Sequence, residues 1–322
     1  MEKDLTKLDE LILLDARRQR HQVLRFGFQL HLSYPNGMER ALREAAVDVA
    51  HGYWNDTRPV VDAFQRSGAS RYSPIRDGAF ESYFRKRLAK KDLSDSDKCL
   101  ILIDSSDGRP PAQHQFMLRI GAQEDAEVWA EKLRRSNLTA SWPVARCVER
   151  ADDLIALILD WCNRLHPEQG TAGIAPIAEH GMLRHEFREY TPFIKRFPGL
   201  DFAMPGFEAP LWGGIRTVNW LTILGHRYVE ALGGCEALAG MLDPQVTAYD
   251  YDGGILLRAG LLPELGDVNH GLRPELYRHV DAIVRPLRFV DYPNTPMALI
   301  KVPEPMDAYQ ETLAWVRRFE RS

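Results

Sequence analysis

The 322-residue chain lacks most of the signatures by which a sequence announces chemistry. Its four cysteines, Cys99, Cys147, Cys162 and Cys235, are far apart and form no C-x-x-C pair. That excludes thiolate zinc spacing and a disulfide-dense secreted scaffold, and leaves reduced, mostly buried small side chains. There is no basic excess: 41 Lys and Arg stand against 45 Asp and Glu, a net charge of −4 with a pI near 6.2. A dedicated nucleic-acid binder needs cationic surface to displace phosphate counterions, so no direct nucleic-acid partner is expected. The longest apolar run, Leu154 to Leu159, is too short to span a bilayer. Met1-Glu2-Lys3-Asp4-Leu5-Thr6 is acidic at once and has no apolar core, so no export signal and no membrane partner are expected. Cytoplasm is the expected compartment.

Catalytic and cofactor motifs are missing too. Neither G-x-x-x-x-G-K-[ST] nor a strand-borne G-x-G-x-x-G occurs, and G-x-S-x-G and H-E-x-x-H are missing. Gly233 to Gly240 comes after a helical pattern rather than a strand, which makes its first glycines a helix stop. His180 and His185 are five apart and do not share a helical face, so they are not a metal pair. Asp250-Tyr251-Asp252-Gly253 begins like a calcium loop, but its twelfth position is Leu261 rather than a bidentate Glu; a hairpin turn is expected instead. No cofactor, no metal and no small-molecule substrate are expected. Carboxylates remote in sequence can still pair as acid and base, and Cys147 or Cys235 could meet a distant histidine, so a hydrolytic enzyme stands as the alternative.

What is present is core material. Hydrophobic residues make up 45% of the chain, with 13 Phe, 11 Tyr and 7 Trp, which excludes wholesale disorder. Leu5, Leu8, Leu11 and Leu14 predict a short amphipathic helix over 5–17. Leu24, Phe26, Phe28, Leu30 and Leu32 alternate with polar residues or glycine, the period-two pattern of a half-buried strand. Pro35-Asn36-Gly37 turns the chain into a helix marked by Met38, Leu42, Ala45 and Val49. Leu100–Ile103 and Phe116–Ile120 read as strands, 126–133 as a helix, Leu138–Val144 as a strand, and Leu154 to Leu165 as an apolar helix. A second series comes after these: strand 215–218, helix 221–232, strands 246–251 and 255–259 about Asp252-Gly253, helix 276–283, strand 297–302 and helix 306–316.

These periods predict an α+β protein of two packed subdomains, a pseudo-duplicated β-α-β-β-α-β arrangement with extra helices. The subdomains are 1–165 and 213–322, with 166–212, interrupted by Pro and Gly, as linker and cover. Two acidic groups are the candidate partner-binding residues: Asp92, Asp95 and Asp97 in a polar loop, and Glu124, Asp125 and Glu127 at the start of a helix. A solvated face explains them, since acids are favoured near helix N-termini; so does a surface that steers a basic partner.

Residues 213–286 carry a distinctive order of glycines and apolar pairs. It opens with Gly213-Gly214-Ile215-Arg216-Thr217-Val218-Asn219-Trp220 and runs on to Gly225. It continues through Leu232-Gly233-Gly234, Gly253 to Gly260 and Pro263-Glu264-Leu265-Gly266-Asp267-Val268-Asn269 to Tyr277 and Pro286. This order resembles the type VI secretion immunity family, cytoplasmic bacterial proteins that neutralise delivered toxins. The resemblance implies a non-enzymatic inhibitor whose partner is a cognate toxin protein, a DNA-cleaving nuclease effector, blocked sterically or allosterically. It identifies no catalytic residue and no contact surface. A structural component of a secretion apparatus, which would self-assemble, is the other alternative.

Overall fold

The computed structural model describes residues 4–15, 22–58, 60–66, 72–76, 78–91, 99–104, 112–120, 136–179, 182–202, 214–289, 292 and 299–320. Eleven strands form one sheet: β1 (Ile12–Leu14), β2 (Gln22–Tyr34), β3 (Ala63–Arg66), β4 (Ser73–Pro74), β5 (Cys99–Ile103), β6 (Gln115–Arg119), β7 (Ser136–Trp142), β8 (Gln169–Ile177), β9 (Leu221–Gly225), β10 (Val246–Tyr251) and β11 (Gly254–Ala259). The order across it is β10-β11-β9-β8-β2-β7-β6-β5-β3-β4, with β1 also on β2. Every ladder is antiparallel. The described helices are α1 (Arg40–Asp56), α2 (Lys86–Leu88, continuing a π turn at Phe80–Arg85), α3 (Val144–Glu149), α4 (Ala151–Leu165), α5 (Phe187–Arg196), α6 (His226–Ala231), α7 (Gly234–Met241), α8 (Glu275–Val284) and α9 (Ala308–Val316). Mixed helices on a large antiparallel sheet make the chain α+β.

The two halves do not repeat one strand order, so the expected pseudo-duplication is not shown, although β9 and β10 of the second half lie parallel with β11 between them, as in a split βαβ unit. The first half runs β2-β7-β6-β5-β3 and the second β8-β9-β11-β10. The segment 166–212, expected as a linker and cover, supplies β8, which is hydrogen bonded to β2 on one side and β9 on the other. The sheet therefore runs unbroken across the expected boundary. Four further expectations change. The N-terminal leucines form a 3₁₀ helix at Leu5–Glu10, then β1; a spacing of three suits the three-residue 3₁₀ turn, and the Asp4 carboxylate accepts from the Thr6 N–H. Leu221 to Leu224 are strand β9, and the helix begins only at His226. Ile215 forms only an isolated bridge with Arg288, and residues 299–302 are not strand; 297 and 298 lie outside the described residues, as does the helix expected over 126–133.

The core explains the layering. Phe28, Leu30, Leu32 and Tyr34 of β2 are fully buried with Phe116, Leu138 and Trp142 of the neighbouring strands, under α1 and α4. Tyr53 of α1 and Trp161 of α4 complete an aromatic cluster, with Tyr53–Trp142 and Trp142–Trp161 centroids 5.3 and 5.9 Å apart. Tyr53 also donates to the Ser141 carbonyl at 2.8 Å, so its buried hydroxyl is satisfied. Trp220 packs edge-on against Phe28 at 5.7 Å and carries the same core into the second half, to Tyr277 and Val280 of α8. α4 has Asp152 and Asp153 in its first turn and ends at His166 with φ +46°, the left-handed stop of many helices.

Candidate functional site

The alternation in β2 predicts a half-buried strand, yet its polar face is covered as well. His31 lies between Thr139 of β7 and Thr171 of β8, and Thr171 faces Thr222 of β9. Gln29, Ser33, Asn137 and Gln169 extend this buried polar tract. The segment 214–219 packs over it. Gly173 makes room, since a Cβ there would stand 2.0 Å from the Asn219 amide oxygen. Ile215, Arg216 and Thr217 close a cavity of about 20 Å³ above His31 and Thr171, room for a single water-sized molecule. The His31 Nδ1 is 3.3 Å from Thr139 Oγ1. Burial first, and the Arg216 cation second, push its pKa down to about 3. His31 is thus neutral at physiological pH, and far from the pKa near 7 that suits a general base. Gln29 Oε1, Ser33 Oγ and Asn137 Oδ1 are buried with no hydrogen-bond partner among the described residues.

Beside this tract lies a buried ionic lattice. Arg216 meets Asp201 at 3.3 Å and donates to the Phe202 carbonyl. Arg318, near the end of the described chain, donates to the Pro198 carbonyl (2.6 Å), Thr217 Oγ1 (2.8 Å), and the Trp315 and Val218 carbonyls. Burial lowers its pKa to about 9, against the opposing pull of Asp201 and Asp281. Asp281 is held by Arg285 and Arg288, and Arg288 also pairs with Glu320. The arrangement clamps the C-terminal residues onto 198–202 and 214–218. Elsewhere burial raises the pKa values of the Cys147 and Cys162 thiols, while the Cys235 thiol is exposed.

The outer surface of the second half is organised differently. Asp267 accepts from Arg196 Nε and Nη2 at 3.0 and 2.8 Å, from the Asn269 N–H, and lies 2.8 Å from His270 Nδ1. The Arg196 hydrogen bonds hold its carboxyl well below the usual carboxylate range. This anchor fixes a loop over 261–273 from which Leu261 projects, 80% exposed, with Leu272 and Val268 also exposed. The β10–β11 hairpin lies nearby in the chain, closed by Asp252-Gly253 as the sequence predicts, with Asp250 and Asp252 exposed.

All six sequence-predicted partner residues, Asp92, Asp95, Asp97, Glu124, Asp125 and Glu127, lie outside the described residues. So does His180, while His185 is exposed. Among the described residues, no group of three or more His, Cys, Asp or Glu is placed to hold a metal ion, and no helix is long and apolar enough to cross a membrane. No motif singles out His31, Arg216, Asp267 or Arg318 for the roles they have. His31 is marked only as a polar residue in the apolar alternation of β2, and Arg216 and Asp267 lie in the stretch that carries the resemblance without being given a role by it.

The family model for type VI immunity to VRR-NUC (TsiV) matches residues 80–319. The chain belongs to this family. The match begins at the π turn before α2 and ends one residue after Arg318, so it takes in the anchored loop, the β10–β11 hairpin and all of the ionic lattice but Glu320. The fold is also that of the Pseudomonas aeruginosa T6SS protein PA0821, at TM-score 0.78 and 19% identity over 95% of this chain and 85% of that one. No curated protein sequence matches the chain. This TsiV family member therefore shares its fold with a protein of a type VI secretion system.

Proposed function

We propose that this TsiV protein protects the cytoplasm by binding a VRR-NUC nuclease effector as a stoichiometric inhibitor, with no chemistry of its own. The family match over 80–319 carries this reading. The character of the interior supports it: the buried histidine is neutral, the buried thiols are protonated, and the buried carboxylates Asp201 and Asp281 are engaged by arginines. A nuclease must present cationic surface to DNA. The acidic segments around Asp92, Asp95 and Asp97 and around Glu124, Asp125 and Glu127 suit steering toward such a surface.

Co-expression with a VRR-NUC effector tests the proposal. Restored growth, a complex on gel filtration and lost DNA cleavage are expected; continued killing with no complex would remove that effector as the partner. Light scattering then separates two modes. A toxin whose oligomeric state is unchanged but whose DNA binding is lost is blocked at its cleft, whereas a shifted oligomer indicates inhibition through assembly.

A further inference from the structure

Among the described residues, β10 is the last strand of the sheet and pairs only with β11. The two-residue turn closes on Tyr251 and Gly254, so Tyr251, Tyr249 and Thr247 direct their backbone groups at β11. The opposite side of β11 confirms the parity, since the Ala259 N–H goes to the Trp220 carbonyl and the Gly260 N–H returns to the Gln245 carbonyl. Ala248 and Asp250 therefore aim their N–H and C=O outward, away from the sheet. No backbone bond from another described residue meets them.

An edge of this kind invites a further strand, and proteins ordinarily blunt it with proline, bulges or lysines. β10 has none of these. Its six-residue register is regular, and Thr247 and Ala248 are small and exposed, so a second backbone can approach. Its charge is one-sided: residues 243–253 contain Asp243, Asp250 and Asp252 and no Lys or Arg. That charge opposes pairing with a second copy of the same edge, which would bring two acidic strands together. It suits a basic extended segment.

We infer that β10 is a docking edge for an extended, Lys- or Arg-rich segment of the effector, which adds to the sheet as a twelfth strand through the outward groups of Ala248 and Asp250. This rests on the reading of the chain as an effector inhibitor. It adds the place of contact and the kind of segment that fits it, with main-chain bonds giving affinity and the aspartates giving charge selection.

The test uses the full chain and the VRR-NUC effector whose toxicity it relieves on co-expression. Amide exchange at Ala248 and Asp250 is expected to be fast in the free chain and to slow at least about tenfold on saturation with effector. Ala248→Pro removes an outward N–H and obstructs strand addition, while every rung to β11 is kept. It is expected to raise the effector Kd about 30-fold, with a Tm within about 2 °C of the parent. Should that variant not fold, the Asp250→Lys, Asp252→Lys double variant leaves the backbone intact; association about tenfold slower, with weaker salt dependence, is expected. Unchanged exchange in the complex, or parental binding by a folded variant, would overturn the docking edge while leaving the inhibitor reading in place. A dimer that Ala248→Pro turns into a monomer at unchanged effector affinity would assign the edge to a second copy instead. A parent chain that forms no complex overturns the inhibitor reading itself, and this assignment with it.

Discussion

The sheet ends differently on its two sides. At one end β4 contributes two residues, Ser73 and Pro74, paired to β3 over Ala63 and Phe64. At the other end β10 runs six residues without a bulge and without proline, with acids beside it. Proline cannot donate to a neighbouring strand, and two residues offer little to pair with, so the β4 end is closed to strand addition. The β10 end carries outward rungs that no described residue's backbone meets, and a single sign of charge. Between the ends the contrast repeats in depth: the interior polar groups of His31, Arg216, Asp281 and Arg318 are held by the fold itself, whereas the polar groups of β10 face outward. Polar chemistry inside this protein fixes shape, and polar chemistry at its open edge is available to a partner.

The largest expected effect lies in the interior. Arg318→Met strips donors from the Pro198 and Val218 carbonyls and leaves Asp201 and Asp281 with less compensation. A loss of about 3–5 kcal/mol in urea unfolding is expected. A loss under about 1 kcal/mol would show that the lattice does not lock the interior.

A pH dependence comes next. His31 has a folded pKa of about 3 against an ordinary 6.5. Between those values the unfolded chain binds more protons than the folded one. Stability is therefore full above about pH 6.5 and declines as pH falls toward 3. His31→Gln is expected to flatten that decline by up to about 1.4 kcal/mol per pH unit. Identical slopes for parent and variant, from unfolding at about pH 7, 5.5 and 4.5, would remove His31 as the cause.

The smallest effect belongs to the closed end. Pro74→Thr is expected to change stability by no more than about 0.5 kcal/mol and to leave effector affinity unaltered. A variant there that weakened effector binding as much as Ala248→Pro would erase the distinction between the two edges.

Much of this fold is legible wherever one period runs undisturbed. β2, β5, β6, the β10–β11 hairpin, α1, α4 and α8 all lie where alternation or helical spacing puts them. β8 escapes a local reading because Gln169-Gly170-Thr171-Ala172-Gly173 carries little apolar contrast. It is a strand because β2 and β9 flank it, and because glycine at 173 admits Asn219. β9 reads as helix because Leu221, Leu224 and Tyr228 keep a helical spacing across a strand-to-helix junction at Gly225 and His226. The open edge depends on pairing across the sheet: the turn at Asp252-Gly253 marks a hairpin, but only the β11–β9 ladder decides that β10 is the outer strand. The ionic lattice joins residues about a hundred positions apart, such as Arg318 and Thr217, and no local pattern encodes that meeting.

Whether this protein inhibits a nuclease by occupying it is decided by titration calorimetry of the purified chain against a VRR-NUC effector, followed by DNA cleavage on the same mixture. A saturable complex at a fixed ratio is expected, with cleavage abolished as that ratio is reached. Heat of binding with cleavage undiminished at saturation would contradict inhibition by binding.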